Sequence, residues 1–242
     1  MKYILEYKEY LSPIFHGTDI ENLYSILKDN ALLIDKNENG TEEGDIWFGR
    51  NKMLYGYTYS ALLVFDRIKI KYNNSLLPFE WTDGLFMGSD ESAEIIRRDL
   101  KNIDKKIISI FVIMNEIKNS ARFPEYVNKL TLNSNIGIFF HAQLKILKLL
   151  NIKKHDELKV LYDNMMQEYY SIFNDKSINV TQKNIKMQIL AEKFFNESIS
   201  KKCYITFKNY MDSVQKLTPI KIEYIKDNTS KFLLKQRFSR NY

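Results

Sequence analysis

At about Asn115 the hydrophobic rhythm of the chain changes period, and this constrains the fold more than any other feature. Before that point apolar residues come in runs of strand length: "SPIFH", "DIWFG", "YSALLVFD", "AEIIR" and "KKIISIFVI". Short runs of this kind bounded by turn residues read as strands, and an unbroken one such as "SALLVF" as a strand buried on both faces. After it, "NIGIFFHAQLKILKLL", "HDELKVLYDNMMQEYYSIF", "TQKNIKMQILAEKFF" and "CYITFKNYMDSVQKL" have helical spacing and helix-length extent. Beyond Pro219, "IKIEYI" alternates like a strand again, with Lys221 and Glu223 between apolar neighbours. A strand so late implies that the chain returns to the sheet it left. The expected architecture is α+β in a single domain over residues 1–242. Its strand-rich core spans 1–114 plus about 218–226, with a helical insertion over about 115–217. A separate helical domain is the second arrangement this pattern allows.

Local signals add detail. "MKYILEY" is a further candidate strand. A helix is expected from about Asp19 to Asn30, with Asp19 as its N-cap and Ile20, Leu23, Tyr24 and Leu27 on one buried face. "ENGTEEGD" is a polar loop, and "LPFEWTDGLFMGSDES" an aromatic loop with turn residues. Thr181 is the expected cap of the third long helix. No internal repeat or low-complexity linker is visible.

Composition narrows the class. Apolar residues make up 45% of the 242, and aromatics 14%, as in a globular protein. Cys203 is the single cysteine, which excludes an internal disulfide framework and every multi-cysteine zinc site. No apolar run approaches the roughly 18–20 residues of a membrane span, and no signal peptide is readable, so a cytoplasmic protein without membrane contact is expected. The charge is uneven. Residues 1–120 hold 15 Lys/Arg against 19 Asp/Glu, a balance of −4; residues 121–242 hold 21 against 11, a balance of +10. A basic half suits a polyanionic partner, though Lys- and Asn-rich chains also arise from AT-rich coding.

One stretch carries chemistry. In "IFHGTDIENLYSIL" a His, a Gly and a Thr close an apolar run just before the first helix. "FHGT" followed by "NLYSIL" resembles the opening of ADP-ribosyltransferases, and more closely the DarT group of toxins, which ADP-ribosylate DNA bases. The matching positions are His16, Thr18, Asn22, Leu23, Ile26 and Leu27. "WFGRNKMLY" is similar to an aromatic–x–Arg–x–x–Met–Leu stretch of that group, which puts Arg50, Met53 and Leu54 on its positions. "FEWTDG" resembles a Thr-Asp-Gly turn ahead of the active-site carboxylate. "AEIIR", followed by "IISIFVI", then puts Glu94 in the catalytic acid position. The segments span residues 14–113 in the family's order. The Arg50–Glu94 spacing is shorter than the group's, and the helical block after Asn115 matches none of its motifs. The resemblance implies a split, mostly antiparallel sheet, NAD as substrate and transfer of ADP-ribose.

The residue types suit that reaction. Cleaving the ribosyl–nicotinamide bond passes through an oxocarbenium-like state, which a carboxylate stabilises. Glu94 is the expected catalytic carboxylate, with Glu91 the alternative. His16 can donate one hydrogen bond and accept another at the ribose, and Gly17 lets backbone approach the nicotinamide amide. Thr18 and Asn22 complete the expected cofactor-binding turn. Arg50 suits the pyrophosphate or the acceptor base. Tyr55, Tyr57 and Tyr59 follow at period two, and Tyr55 is the favoured ring for stacking on nicotinamide. Each residue also has a plainer role: a helix-capping turn at His16, a salt bridge at Arg50, a solvated carboxylate at Glu94, core aromatics among the tyrosines.

The function expected is NAD-dependent ADP-ribosyl transfer to a nucleic-acid base, single-stranded DNA being favoured, with an antitoxin or target protein as a further partner. Transfer to protein or tRNA, RNA 2′-phosphotransfer, and a non-catalytic binding module on the same scaffold are the alternatives. A metal site is not expected: His141 and His155 lie in helical patterns and read as packing or surface residues. GxxxxGK[ST], GxGxxG, HExxH and GxSxG motifs are absent.

Overall fold

A computed structural model describes residues 13–34, 46–49, 59–73, 77–79, 93–127 and 132–226. The candidate strand "MKYILEY" and the loop "ENGTEEGD" lie outside these residues, as does most of the aromatic loop. The chain forms two compact units: Met1–Glu116 with Val214–Tyr242, and Ile117–Ser213. The second unit thus interrupts the first in sequence.

The first unit holds a seven-stranded sheet. Its strands are β1 (Ile14–Thr18), β3 (Ile46–Gly49), β4 (Ala61–Phe65), β5 (Leu77–Phe79), β6 (Ala93–Ile96), β8 (Ile107–Ile113) and β9 (Ile222–Ile225). They run in the order β5-β6-β3-β1-β4-β8-β9. Every pair is antiparallel except β8–β9, which is parallel. The late strand does return to the sheet, and the mixed α+β class expected from the periodicity is the one observed. All five residues of β4 are buried, which is why its apolar run never alternates. Phe15, Leu62, Val64 and Phe111 form a core cluster on one face, with Ile225 packed against it. On the β1–β3 seam one registered pair is described, Phe15 with Gly49, whereas β1 and β4 pair along five residues.

Local chemistry sets the elements around the sheet. Helix α1 (Ile20–Asp29) ends as expected at Asn30, which adopts a left-handed φ of 51° and donates its N–H to the carbonyls of Ile26 and Leu27. Beyond it, β2 (Ala31–Leu32) pairs with β7 (Leu100–Lys101) in a separate antiparallel ribbon. Asn30 fastens the ribbon: its amide donates to Asp104 Oδ1 at 2.7 Å, and its Oδ1 accepts from Asp104 N at 2.9 Å. Buried Lys106 donates to the carbonyls of Lys101 and Asn102 beside it, and burial lowers its pKa. A short helix that the pattern does not announce, α2 (Arg67–Asn73), follows β4. Asp66 opens it by accepting from the N–H groups of Ile68 and Lys69 at 3.0 and 3.2 Å. The return to β9 is set by Gln215, which accepts from Ile222 N and donates to the carbonyls of Thr218 and Ile220.

Helix α3 (Met114–Asn119) follows β8. The helical unit is then built from α4 (Leu132–Leu149), α5 (Lys154–Asn174) and α6 (Val180–Ser200), and α7 (Phe207–Gln215) begins within it. Its interior is aromatic: Phe139 packs edge-on against Phe140 and Phe195, and Phe123 against Phe207. Fully buried Gln143 is satisfied on both sides, donating to Arg122 O and Ile205 O and accepting from Ile205 N at 2.7 Å. Two expectations are corrected here. Thr181 does not cap α6; Asn179 does, in a capping box with Gln182 that closes both ways at 2.9 and 3.0 Å. Cys203 is not helical, since α7 starts only at Phe207.

Candidate functional site

His16 lies in the middle of β1, half-buried, in register with Leu63 of β4. On its other side the antiparallel pair Phe15–Gly49 brings His16 level with Phe48 one step further along. The two rings lie 5.8 Å apart between centroids at 54°. Phe48 is fully buried and meets Phe65 edge-on at 5.5 Å. Across β3, Phe48 stands opposite Glu94 of β6, and Glu94 opposite Pro78 of β5. Leu63, His16, Phe48 and Glu94 thus occupy one transverse row of the sheet. The backbones of His16 and Glu94 are two strand spacings apart, about 10 Å.

The turn that follows is stiffened from two directions. Thr18, 7% exposed, accepts a hydrogen bond through its hydroxyl from the Asn22 amide at 3.3 Å, one helical turn on. Asp19 occupies the N-cap position of α1 without making a side-chain cap. The cap comes from Ser60, fully buried and forty positions away, whose Oγ accepts the N–H of Ile20 at 2.7 Å. Its neighbour Tyr59 explains the glycine. A Cβ on Gly17 would fall against the Tyr59 ring, with Cε2 2.7 Å away. Only a residue without a side chain lets that ring approach the strand. Residues alternate across a strand, so the ring covers the face of β1 opposite to the His16 side chain. An aromatic ring, where the sequence reading put the nicotinamide, stands beyond Gly17.

The expected site residues are thus partly gathered. His16, Gly17, Thr18 and Asn22 form one strand-to-helix turn, and Glu94 shares the transverse row of His16. Arg50, Tyr55, Tyr57, Glu91 and Trp81 lie outside the described residues. Tyr59, one of three period-two tyrosines but not the favoured one, and Ser60, unnoticed in sequence, prove to service the turn. "YS" at a strand start carries no local signal of either task.

The remaining reactive groups have other partners. His141 is exposed, and its Nε2 shares a 3.0 Å hydrogen bond with the Tyr162 hydroxyl; His155 Nδ1 lies 2.9 Å from Asp156 Oδ1. Among the described residues no group of three or more His, Cys, Asp or Glu is placed to hold a metal. Cys203 is fully buried with its thiol directed at Glu157 Oε2, 3.4 Å away. Burial, then the Glu157 carboxylate, raise its pKa, which disfavours the thiolate that a nucleophile needs. An open groove of about 520 Å³ beside it is lined by Lys154, Glu157, Val160, Leu161, Asn164, Glu197 and Lys201. Its charges already pair with each other, Lys154 with Glu157 at 3.0 Å and Lys201 with Glu197 at 2.8 Å. Among the described residues no helix is long and apolar enough to cross a membrane. The chain matches no protein-family model, no curated protein and no solved structure.

Proposed function

We propose that the protein is a NAD-dependent ADP-ribosyltransferase that modifies a nucleic-acid base, single-stranded DNA being the favoured acceptor. The observation that carries this reading is the transverse row in which His16 and Glu94 flank Phe48. A ribosyl–nicotinamide unit held between an imidazole and a carboxylate has a hydrogen-bonding partner on one side. On the other it has negative charge for the developing oxocarbenium ion. The Thr18–Asn22 bond and the Ser60 cap support the reading, because a preorganised turn keeps His16 in place without cost at the moment of reaction. Arg50 is assigned the pyrophosphate or the acceptor base, and Tyr55 the aromatic contact. NAD is consumed as substrate, and no metal is required. The fold class and the mostly antiparallel sheet agree with the ADP-ribosyltransferase resemblance without being specific to it. A cytoplasmic toxin with an antitoxin or hydrolase counterpart is the setting in which such chemistry is expected.

A second reading keeps the scaffold and drops the turnover. It is favoured by one observation: Phe48, which stands between His16 and Glu94 on their row, is fully buried. Incubation with labelled NAD in the presence of single-stranded DNA, duplex DNA, RNA and protein extract separates the readings. Label on single-stranded DNA supports the proposal, and label only on protein or tRNA moves the acceptor. NAD binding without nicotinamide release points to a binding module. RNA 2′-phosphotransfer requires 2′-phosphorylated RNA.

A further inference from the structure

Residues 166–189, the far half of α5, the turn and the first half of α6, include no buried residue. The buried positions of the two helices lie at the other end: Leu158, Leu161 and Met165 on α5, and Leu190, Ala191, Phe194 and Ser198 on α6. The pair therefore projects from the helical core as a hairpin. Its tip carries Tyr170 and Phe173, each 56% exposed. Tyr169 stacks on Phe173 at 6.3 Å and 12°, and meets Tyr170 edge-on at 6.0 Å.

The lysines of the hairpin divide in the same way. Toward the base they are paired: Lys154 with Glu157, Lys159 with Asp163, Lys193 with Glu168 and Lys201 with Glu197, all at 2.7–3.0 Å. At the tip, Lys176, Lys183 and Lys186 form no ion pair among the described residues. Lys183 instead sits over the Phe173 ring, 5.9 Å from its centroid, and donates to the Phe173 carbonyl. Asp175 accepts the Ser177 N–H and hydroxyl at 2.9 and 2.6 Å, and its pKa is lowered first by those bonds and then by the charges of Lys186 and Lys183.

Three cations in no close ion pair, offset by the single carboxylate of Asp175, surround exposed rings and complement a polyanion that also offers flat, unstacked faces. We propose that the α5–α6 hairpin tip binds single-stranded nucleic acid, with Lys176, Lys183 and Lys186 on phosphates and Tyr170 and Phe173 stacked on bases. A duplex presents the phosphates but hides the base faces. The choice of nucleic acid among polyanions rests on the function proposed above, yet binding at the tip needs neither NAD nor turnover. Ile185 and Ile189, 54% and 62% exposed on α6, would suit a second copy of this chain, and the test separates the two.

The test is fluorescence anisotropy with a short labelled single strand and its duplex, without NAD and over a salt series, alongside sedimentation velocity. The full-length protein is expected to bind the single strand more tightly. Three phosphate contacts give a log K against log salt slope of about −2. Lys176→Glu/Lys183→Glu/Lys186→Glu is expected to weaken binding at least tenfold and to flatten that slope. Tyr170→Ala/Phe173→Ala is expected to weaken it by about thirtyfold or more at an unchanged slope. All five residues lie in the tip, which has no buried residue, so the variants are expected to keep their helices, which circular dichroism checks. Wild-type affinity in both variants overturns the proposal. So does concentration-dependent dimerisation that Ile185→Ser/Ile189→Ser abolishes, if no single-strand binding is found. Loss of transfer activity with intact tip binding overturns only the enzymatic reading. Normal labelling of DNA with unaltered binding in the tip variants overturns only this one.

Discussion

The ring of Tyr59 occupies the space that a side chain on Gly17 would need. Gly17→Ala must therefore push the ring away from β1, and overpacking of this kind costs about 1–3 kcal/mol. Tyr59→Ala removes the obstacle, so the glycine substitution should become nearly neutral in that background. Urea denaturation of the two single variants and the double variant measures the coupling. Additive effects would mean that the ring and the glycine do not meet.

Ser60 is expected to matter more than its place in the sequence suggests. Ser60→Ala removes the hydroxyl that accepts the first N–H of α1, at a cost of about 1 kcal/mol. Loss of the cap also loosens the turn that holds His16, so NAD affinity should fall together with stability. A variant as stable as wild type would remove Ser60 from the account.

The two candidate caps of α6 make opposite predictions. Asn179→Ala breaks the capping box and is expected to cost about 1 kcal/mol, whereas exposed Thr181→Ala should change stability by less than about 0.5 kcal/mol. Thermal melts of the two variants, compared with wild type, decide between them.

These cases show which parts of the fold were legible in the sequence. The unbroken apolar run of β4 reflects burial on both faces, whereas the alternation of "IKIEYI" located a strand although burial does not follow it, since Ile222 is buried and Tyr224 on the same face is exposed. The same periodicity located the helices from Leu132 onward. Helix α2 was missed because Ile68 and Ile70 alternate like a strand, although Asp66 before them is a start signal in hindsight. Asn179 with Gln182 was equally legible as a capping box, but Thr181 drew the assignment. The Ser60 cap was not legible, because forty positions separate donor from acceptor and only the pairing of β1 with β4 joins them. For the candidate site, the sequence suggested the His16 turn and Glu94. It could not suggest that Phe48 stands between them, which depends on the register of three strands.

Cys203 gives a pH test. Its folded pKa is raised above the unfolded thiol value of about 9, chiefly by burial and then by Glu157. The native state therefore holds this proton more tightly than the unfolded chain does. That stabilisation is fully present below about pH 9 and is lost as pH rises through the folded pKa. Wild type should lose more stability than Cys203→Ala between neutral pH and pH ~10, by denaturant midpoints. Native protein should react slowly with a thiol reagent at neutral pH and rapidly once unfolded.

The most direct test of the central claim is the fate of labelled NAD with single-stranded DNA, for wild type, Glu94→Ala and His16→Ala. The account predicts labelled DNA and stoichiometric nicotinamide release with wild type. Transfer should fall by roughly a hundredfold or more in Glu94→Ala, with its melting temperature retained. His16→Ala should lose NAD affinity as well as rate. Glu91→Ala should remain active. Wild-type transfer by Glu94→Ala, or no nicotinamide release from the wild-type protein with any acceptor, would contradict the account.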